Sequence, residues 1–189
     1  MSLDYQRYYD LETFLFEDVN RRFRDNGSIG AFELFSIVIW KANRAKSITA
    51  KRLRKQALAG ESLDELCHRF TREVSRAADP ESRFLVVVGP RWGFSLPMAS
   101  AILTVLYPDV FTVYDYRVCE ELEDFVNLAN LTNLARLWSG YSRFITAVRA
   151  ASSEQTIREK DRFLIGRSMA RQLDRDIGTW FQQGKSTTT

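Results

Sequence analysis

One carboxylate stands out in the stretch GFSLPMASAILTVLYPDVFTVYDYRV, residues 93–118. Asp115 follows an apolar helical pattern, a proline break at Pro108 and a β-branched, aromatic run, and it opens the next helical pattern. An aspartate in that place is a helix N-cap, contributing about 1 kcal/mol through an accepted amide hydrogen bond. The same carboxylate can also face a cleft and act on a developing positive charge or on a water. A second chemical feature is basic. Residues 41–55, KANRAKSITAKRLRK, hold Lys41, Arg44, Lys46, Lys51, Arg52, Arg54 and Lys55 without an acid. The run carries +7 in a chain of net charge +3, which leaves −4 for the remainder. Such a patch attracts phosphate backbones; its plain alternative is a solvated helix face.

Other residue types narrow the choices. The single histidine, His68, lies beside Cys67 in a helical pattern and reads as structural or surface. Cys67 and Cys119 are far apart, with no CxxC or Cys/His spacing. Structural zinc, an iron–sulfur cluster and a disulfide framework are therefore not expected, and no metal or cofactor is implied. No apolar run approaches the roughly 20 residues of a membrane span. With no signal peptide ahead of the first charges, a cytoplasmic protein with free thiols is the expectation.

The elements that must position these residues read as helices joined by short turns. Tyr8, Leu11, Leu15, Val19 and Phe23 share one helical face, closed by DNGS at 25–28. Residues 32–45 form an apolar central helix, followed by a basic helix over 48–58. Ser62 and Glu65 spell a capping box. Asp79-Pro80 opens a helix carrying Phe84 to Val88. A helix over 96–106 follows the turn GPRWGFS, and Asp115 caps a helix through Phe125. Thr132 and Ser152 read as further N-caps, Ser152 with a capping box to Gln155. Helices near 133–148, 153–166 and 168–181 complete the chain. The FTVY run allows one short extended piece and no sheet. The fold class is all-α: residues 1–182 as one helical domain of two small lobes, with a hairpin at 84–107. Residues 183–189 read as a loose polar tail.

The turn and its flanking helices have the form of a helix-hairpin-helix, in which small residues let a backbone approach a DNA phosphate. Gly93 starts the turn, Ser95 holds its third position, Ala99 follows, and Asp115 arrives 22 residues after Gly93. In this the segment resembles the helix-hairpin-helix superfamily of base-excision DNA glycosylases, whose hairpin has the form G-x-G-x-x-x-A. Its aspartate opens a helix as D-x-(His or Asn)-Val, where this chain has Asp115-Tyr116-Arg117-Val118. Residues 32–47 are similar to the family's first core helix. Lys41-Ala42-Asn43 lies where relatives have a Ser-Ala-Gln triplet, so the resemblance makes Asn43 the wedge beside an extruded base. DRFLIGRS, 161–168, is fainter in its similarity.

The resemblance implies a DNA-binding protein of base-excision type, acting on duplex DNA. Asp115 would be the catalytic carboxylate of a monofunctional glycosylase. Gly93, Phe94, Ser95, Asn43, Lys41, Arg44, Lys46 and Arg117 would contact DNA, and Trp40, Trp92 and Tyr116 would wall the base pocket. The chain departs from the pattern at Ser95, where a second glycine is usual. It departs again at Pro97, which replaces the Schiff-base lysine of lyase members, so lyase chemistry there is not expected. Two alternatives remain open: a catalytically silent DNA-binding module, and a helical protein-interaction domain on the same scaffold.

Overall fold

Residues 11–26 run as one continuous helical rod with an unusual middle. In the computed structural model, which describes residues 5–183, α1 (Leu11–Thr13) passes into a π-helical segment (Phe14–Val19) and then α2 (Asn20–Asn26). Leu15, Val19 and Phe23 are buried on one face, as their four-residue spacing predicts. Gly27, at φ 67°, ends the rod in the left-handed conformation that glycine adopts without strain.

The central helix α3 (Ala31–Ala42) packs against the helices Leu63–Arg76 and Leu96–Leu106 and buries Leu34, Ile37 and Val38. It is shorter than the sequence predicts. Ala42 turns out of helical geometry at φ −162°, ψ 88°, and a 3-10 turn (Asn43–Ala45) leads into the basic α4 (Lys46–Arg54). The capping box forms as expected at the start of α5 (Leu63–Arg76): Ser62 Oγ accepts from the Glu65 amide and Glu65 from the Ser62 amide. α5 buries Leu66, Phe70 and Val74 but leaves Leu63 exposed. Asp79 caps α6 (Pro80–Val88) by accepting from the Ser82 amide at 2.8 Å.

α7 (Leu96–Leu106) has only Ser100 and Thr104 as polar residues and is almost wholly buried, the mark of a helix that other elements surround. After it, residues 111–114 run extended and buried without pairing; the described residues contain no strand. The architecture is all-α. α8 (Tyr116–Glu121) stops before Phe125, because Glu123 (φ 55°) and Phe125 (φ 73°) turn the chain sharply. α9 (Leu134–Ala150) is capped by Asn133, not Thr132.

The C-terminal part differs most from expectation. One helix, α10 (Ile157–Gln183), replaces the two expected. The Ser152 box does not form; Thr156 and Glu159 exchange those capping bonds instead. Gly166 does not interrupt α10: nothing lies within 4 Å of where its Cβ would stand, and α8 packs across the helix. The second half of α10 exposes Met169, Leu173 and Ile177. Residues 184–189 of the expected tail lie outside the described residues.

Among the described residues the buried hydrophobic side chains form one contiguous cluster. Within it, Cys67 and Cys119 are free thiols, which burial pushes up to about 12 and about 11. Among the described residues no helix is long and apolar enough to cross a membrane.

Candidate functional site

Asp115 is delivered by a segment clamped from both sides. The Tyr114 amide donates to Ser100 Oγ at 2.9 Å, Tyr114 Oη donates to the Phe125 carbonyl at 2.6 Å, and Tyr141 Oη donates to the Thr112 carbonyl at 2.6 Å. The extended run is thereby fixed to α7, to the loop after α8 and to α9. Asp115 then caps α8, Oδ1 accepting from the Arg117 amide at 3.1 Å. Its other oxygen, Oδ2, accepts from Lys41 Nζ at 2.7 Å, and the same ammonium reaches the Tyr114 carbonyl at 3.2 Å. Lys41 stands on the last turn of α3, so the pair joins the end of α3 to the start of α8.

Both partners are largely withdrawn from solvent: the side chains are 13% (Lys41) and 31% (Asp115) exposed. Burial alone pushes the Asp115 carboxyl up. The Lys41 ammonium, the Arg117 amide and the Arg117 charge more than offset it and hold the group below the ordinary value of 3.8. The carboxylate is therefore ionised at neutral pH. It lines a pocket of ≈ 350 Å³ with Lys41, Pro97, Tyr114, Tyr116, Val126 and Ala129. Apart from the ion pair, the walls are aliphatic or aromatic, an environment suited to a flat neutral ring.

Lys41, Asp115 and Tyr116 thus meet in one place, with Tyr116 on the rim at 64% exposure. Arg117 contributes its amide to the cap and ties α8 to α10 by donating from Nη1 to Gln172 Oε1 at 2.7 Å. Asn43, Arg44 and Lys46 are exposed on and just after the 3-10 turn beyond α3. Asn43 does not line the pocket; the break at Ala42 carries it away, and Lys41 takes the inward position.

Three aromatic expectations are corrected. Trp40 packs edge-on to Phe16 at 5.6 Å with the Arg158 guanidinium 5.2 Å from its ring, so it is not a pocket wall. Trp92 is 1% exposed, rests 4.7 Å from Phe70 and donates its indole N–H to Glu73 at 2.8 Å. It has no free face on which a base could stack. Phe94 is not displayed on a hairpin tip. It is 4% exposed and lies 5.3 Å from Phe70, because a gap between α5 and the hairpin accepts the ring. Gly93 does adopt φ +58°, and Ser95 is the exposed residue preceding α7, without a side-chain cap bond.

One charged cluster is not evident from the sequence. Asp161 is fully buried and paired with Arg158, which also reaches Glu12 Oε1 at 2.7 Å. Among the described residues, the Oδ1 of Asp161 finds no hydrogen-bond partner. Burial pushes the carboxyl up to about 6 despite Arg158. The available signal is the Arg158/Asp161 spacing of three on a helical pattern, a poor discriminator because most such pairs are exposed.

His68 serves the junction of α3 and α5. Its Nδ1 lies 3.0 Å from Ser28 Oγ, while Asp64, one turn earlier on α5, accepts from the Ala31 amide at 2.7 Å and so holds the start of α3. This is in keeping with the structural reading of the histidine. No family model matches this chain, and no curated protein or solved structure matches it.

Proposed function

We propose that this chain binds duplex DNA and hydrolyses an N-glycosidic bond, as a monofunctional glycosylase with Asp115 as its catalytic carboxylate. The supporting observation is the convergence of Asp115 and Lys41 on an otherwise apolar pocket directly after a glycine-initiated hairpin and its helix. In such a reaction the base leaves the stack and enters the pocket. The C1′–N bond breaks, its electron pair leaves with the base, and positive charge grows on the sugar. A carboxylate held ionised and partly dehydrated stabilises that charge. Water then adds at C1′, and the proton it loses ends on the departed base, leaving a neutral base and an abasic sugar. The low carboxyl value suits electrostatic stabilisation and water orientation better than proton abstraction.

Base release from duplexes carrying a panel of damaged bases tests this reading, with Asp115→Asn beside the native chain. Release that disappears in the variant while its circular dichroism is unchanged supports it. Equal release by both proteins overturns it.

A second reading has its own observation. The Lys41 ammonium already neutralises one Asp115 oxygen at 2.7 Å, as expected where the carboxylate only locks α3 to α8. A catalytically silent DNA-binding module then binds duplex in a salt-dependent way without releasing any base.

A further inference from the structure

We infer that the cleft between α4 and the turn joining α6 to α7 is a phosphate site, which seats a phosphodiester of the DNA strand flanking the Asp115 pocket. The inference rests on the DNA-binding reading above and identifies where the strand is held. The cleft measures ≈ 350 Å³, and Lys51, Arg52 and Lys55 line it from one side, Arg91, Trp92 and Gly93 from the other. Every charged residue on its walls is cationic.

Three of these charges are uncompensated, and the fourth, Arg91, is paired with Glu73. Among the described residues, neither Lys51, Arg52 nor Lys55 has a carboxylate within ion-pair distance; Arg52 rests 5.9 Å from the Phe94 ring. Arg91 is oriented differently. Glu73 takes its Nη2 at 3.0 Å and the Trp92 indole N–H at 2.8 Å, which fixes that wall of the cleft. Like charges gathered around a concavity raise the local potential, and a phosphate with several acceptor oxygens relieves it.

Side chains, not hairpin amides, supply these contacts. The Gly93 amide donates to the Gly89 carbonyl at 2.7 Å and the Phe94 amide to the Val87 carbonyl at 3.1 Å, so both are spent within the turn. Neither Ser95 nor Leu96, at the start of α7, lines the cleft. Gly93 has a separate role. A Cβ there would stand 2.9 Å from Arg52 Nη1, the movable end of that side chain, so a larger residue displaces the guanidinium from this wall of the cleft. The cleft also lies close to the proposed chemistry. Gly93 lines the cleft and Pro97 lines the Asp115 pocket. The four intervening steps reach at most about 14 Å, roughly four nucleotide rises along one strand.

The test uses the full chain and a fluorescent duplex carrying a stable abasic-site analogue, with anisotropy titrations at several salt concentrations. The variants are Lys51→Ala/Lys55→Ala and, as a surface-cation control, Arg136→Ala. The double variant is expected to bind at least 10-fold more weakly at about 0.1 M salt. Its slope of log K against log[salt] should be shallower by about one to two, at roughly 0.9 for each phosphate no longer neutralised. The control keeps the native affinity and slope. Native-like binding by the double variant overturns the inference and leaves the DNA-binding reading standing. If the native chain binds no duplex, that reading falls, and a ¹H–¹⁵N titration with inorganic pyrophosphate decides the rest. Shifts confined to residues 51–56 and 91–93 would replace the strand by a free polyphosphate. No shifts would remove the anion site as well.

Discussion

Lys41 and Asp115 are 74 residues apart along the chain, and their charged atoms lie 2.7 Å apart. The contact fastens the C-terminal turn of the central helix to the first turn of α8, and it sets the ionisation of the one carboxylate in the pocket.

Replacing Lys41 by Met removes the main influence that opposes burial. The Asp115 carboxyl should rise from its position below 3.8. In the native chain this depressed value contributes stability above the unfolded-state value, lost as pH falls through the folded one. The gap in urea stability between native protein and Lys41→Met should therefore be largest near pH 7 and shrink below about pH 4. A gap independent of pH would show that the ammonium acts through packing alone.

Asp115→Asn keeps the size of the side chain and its ability to accept from the Arg117 amide. We expect base release to fall at least about 100-fold, the scale of removing one preorganised electrostatic interaction. The thermal midpoint should fall as well, because the largely buried Lys41 ammonium loses its counter-charge. Single-turnover release and a melting curve on the same preparation separate the two effects.

Arg158 holds a buried carboxylate that is otherwise unpartnered. Arg158→Met should destabilise the fold by about 3–5 kcal/mol at pH 7, because a buried charge is left alone. Asp161 is already raised to about 6, and the variant raises it further. A carboxyl raised on folding is stabilising in its protonated form, so lowering the pH from 7 to 5 should recover part of the deficit. Denaturant unfolding at the two pH values measures it.

Gly93 combines φ +58° with a close approach to Arg52. Gly93→Ala should cost about 1–2 kcal/mol from the left-handed backbone. The guanidinium can swing aside, so the fold survives, but the cleft is disturbed and duplex binding weakens. Denaturant unfolding and anisotropy on one variant read both.

Local signals made much of the scaffold legible. Ser62, Asp79 and Asp115 each declared a helix start, and all three accept the amide bonds that such residues accept. The single helix α10 was not legible because Gly166 costs only about 1 kcal/mol in a helix, and packing of α8 across it is invisible in a local window. Phe94 is undecided for a similar reason: the sequence allows the ring to face DNA or to fold back, and Phe70, from another helix, decides for the core. Of the site, Asp115 and Tyr116 followed from sequence position. The inward turn of Lys41, and the outward displacement of Asn43, depend on one backbone break at Ala42 that no residue type announces.

The buried thiols have a practical consequence. Cys119 lies on α8, four residues after Asp115, and burial raises its thiol to about 11. At neutral pH it is almost entirely protonated and shielded, so an alkylating reagent modifies it only when α8 lifts from its neighbours. The alkylation rate of Cys119 is therefore a native clock for opening of the segment that carries the carboxylate. Slowing of that clock on adding duplex would report engagement of the site without any introduced label.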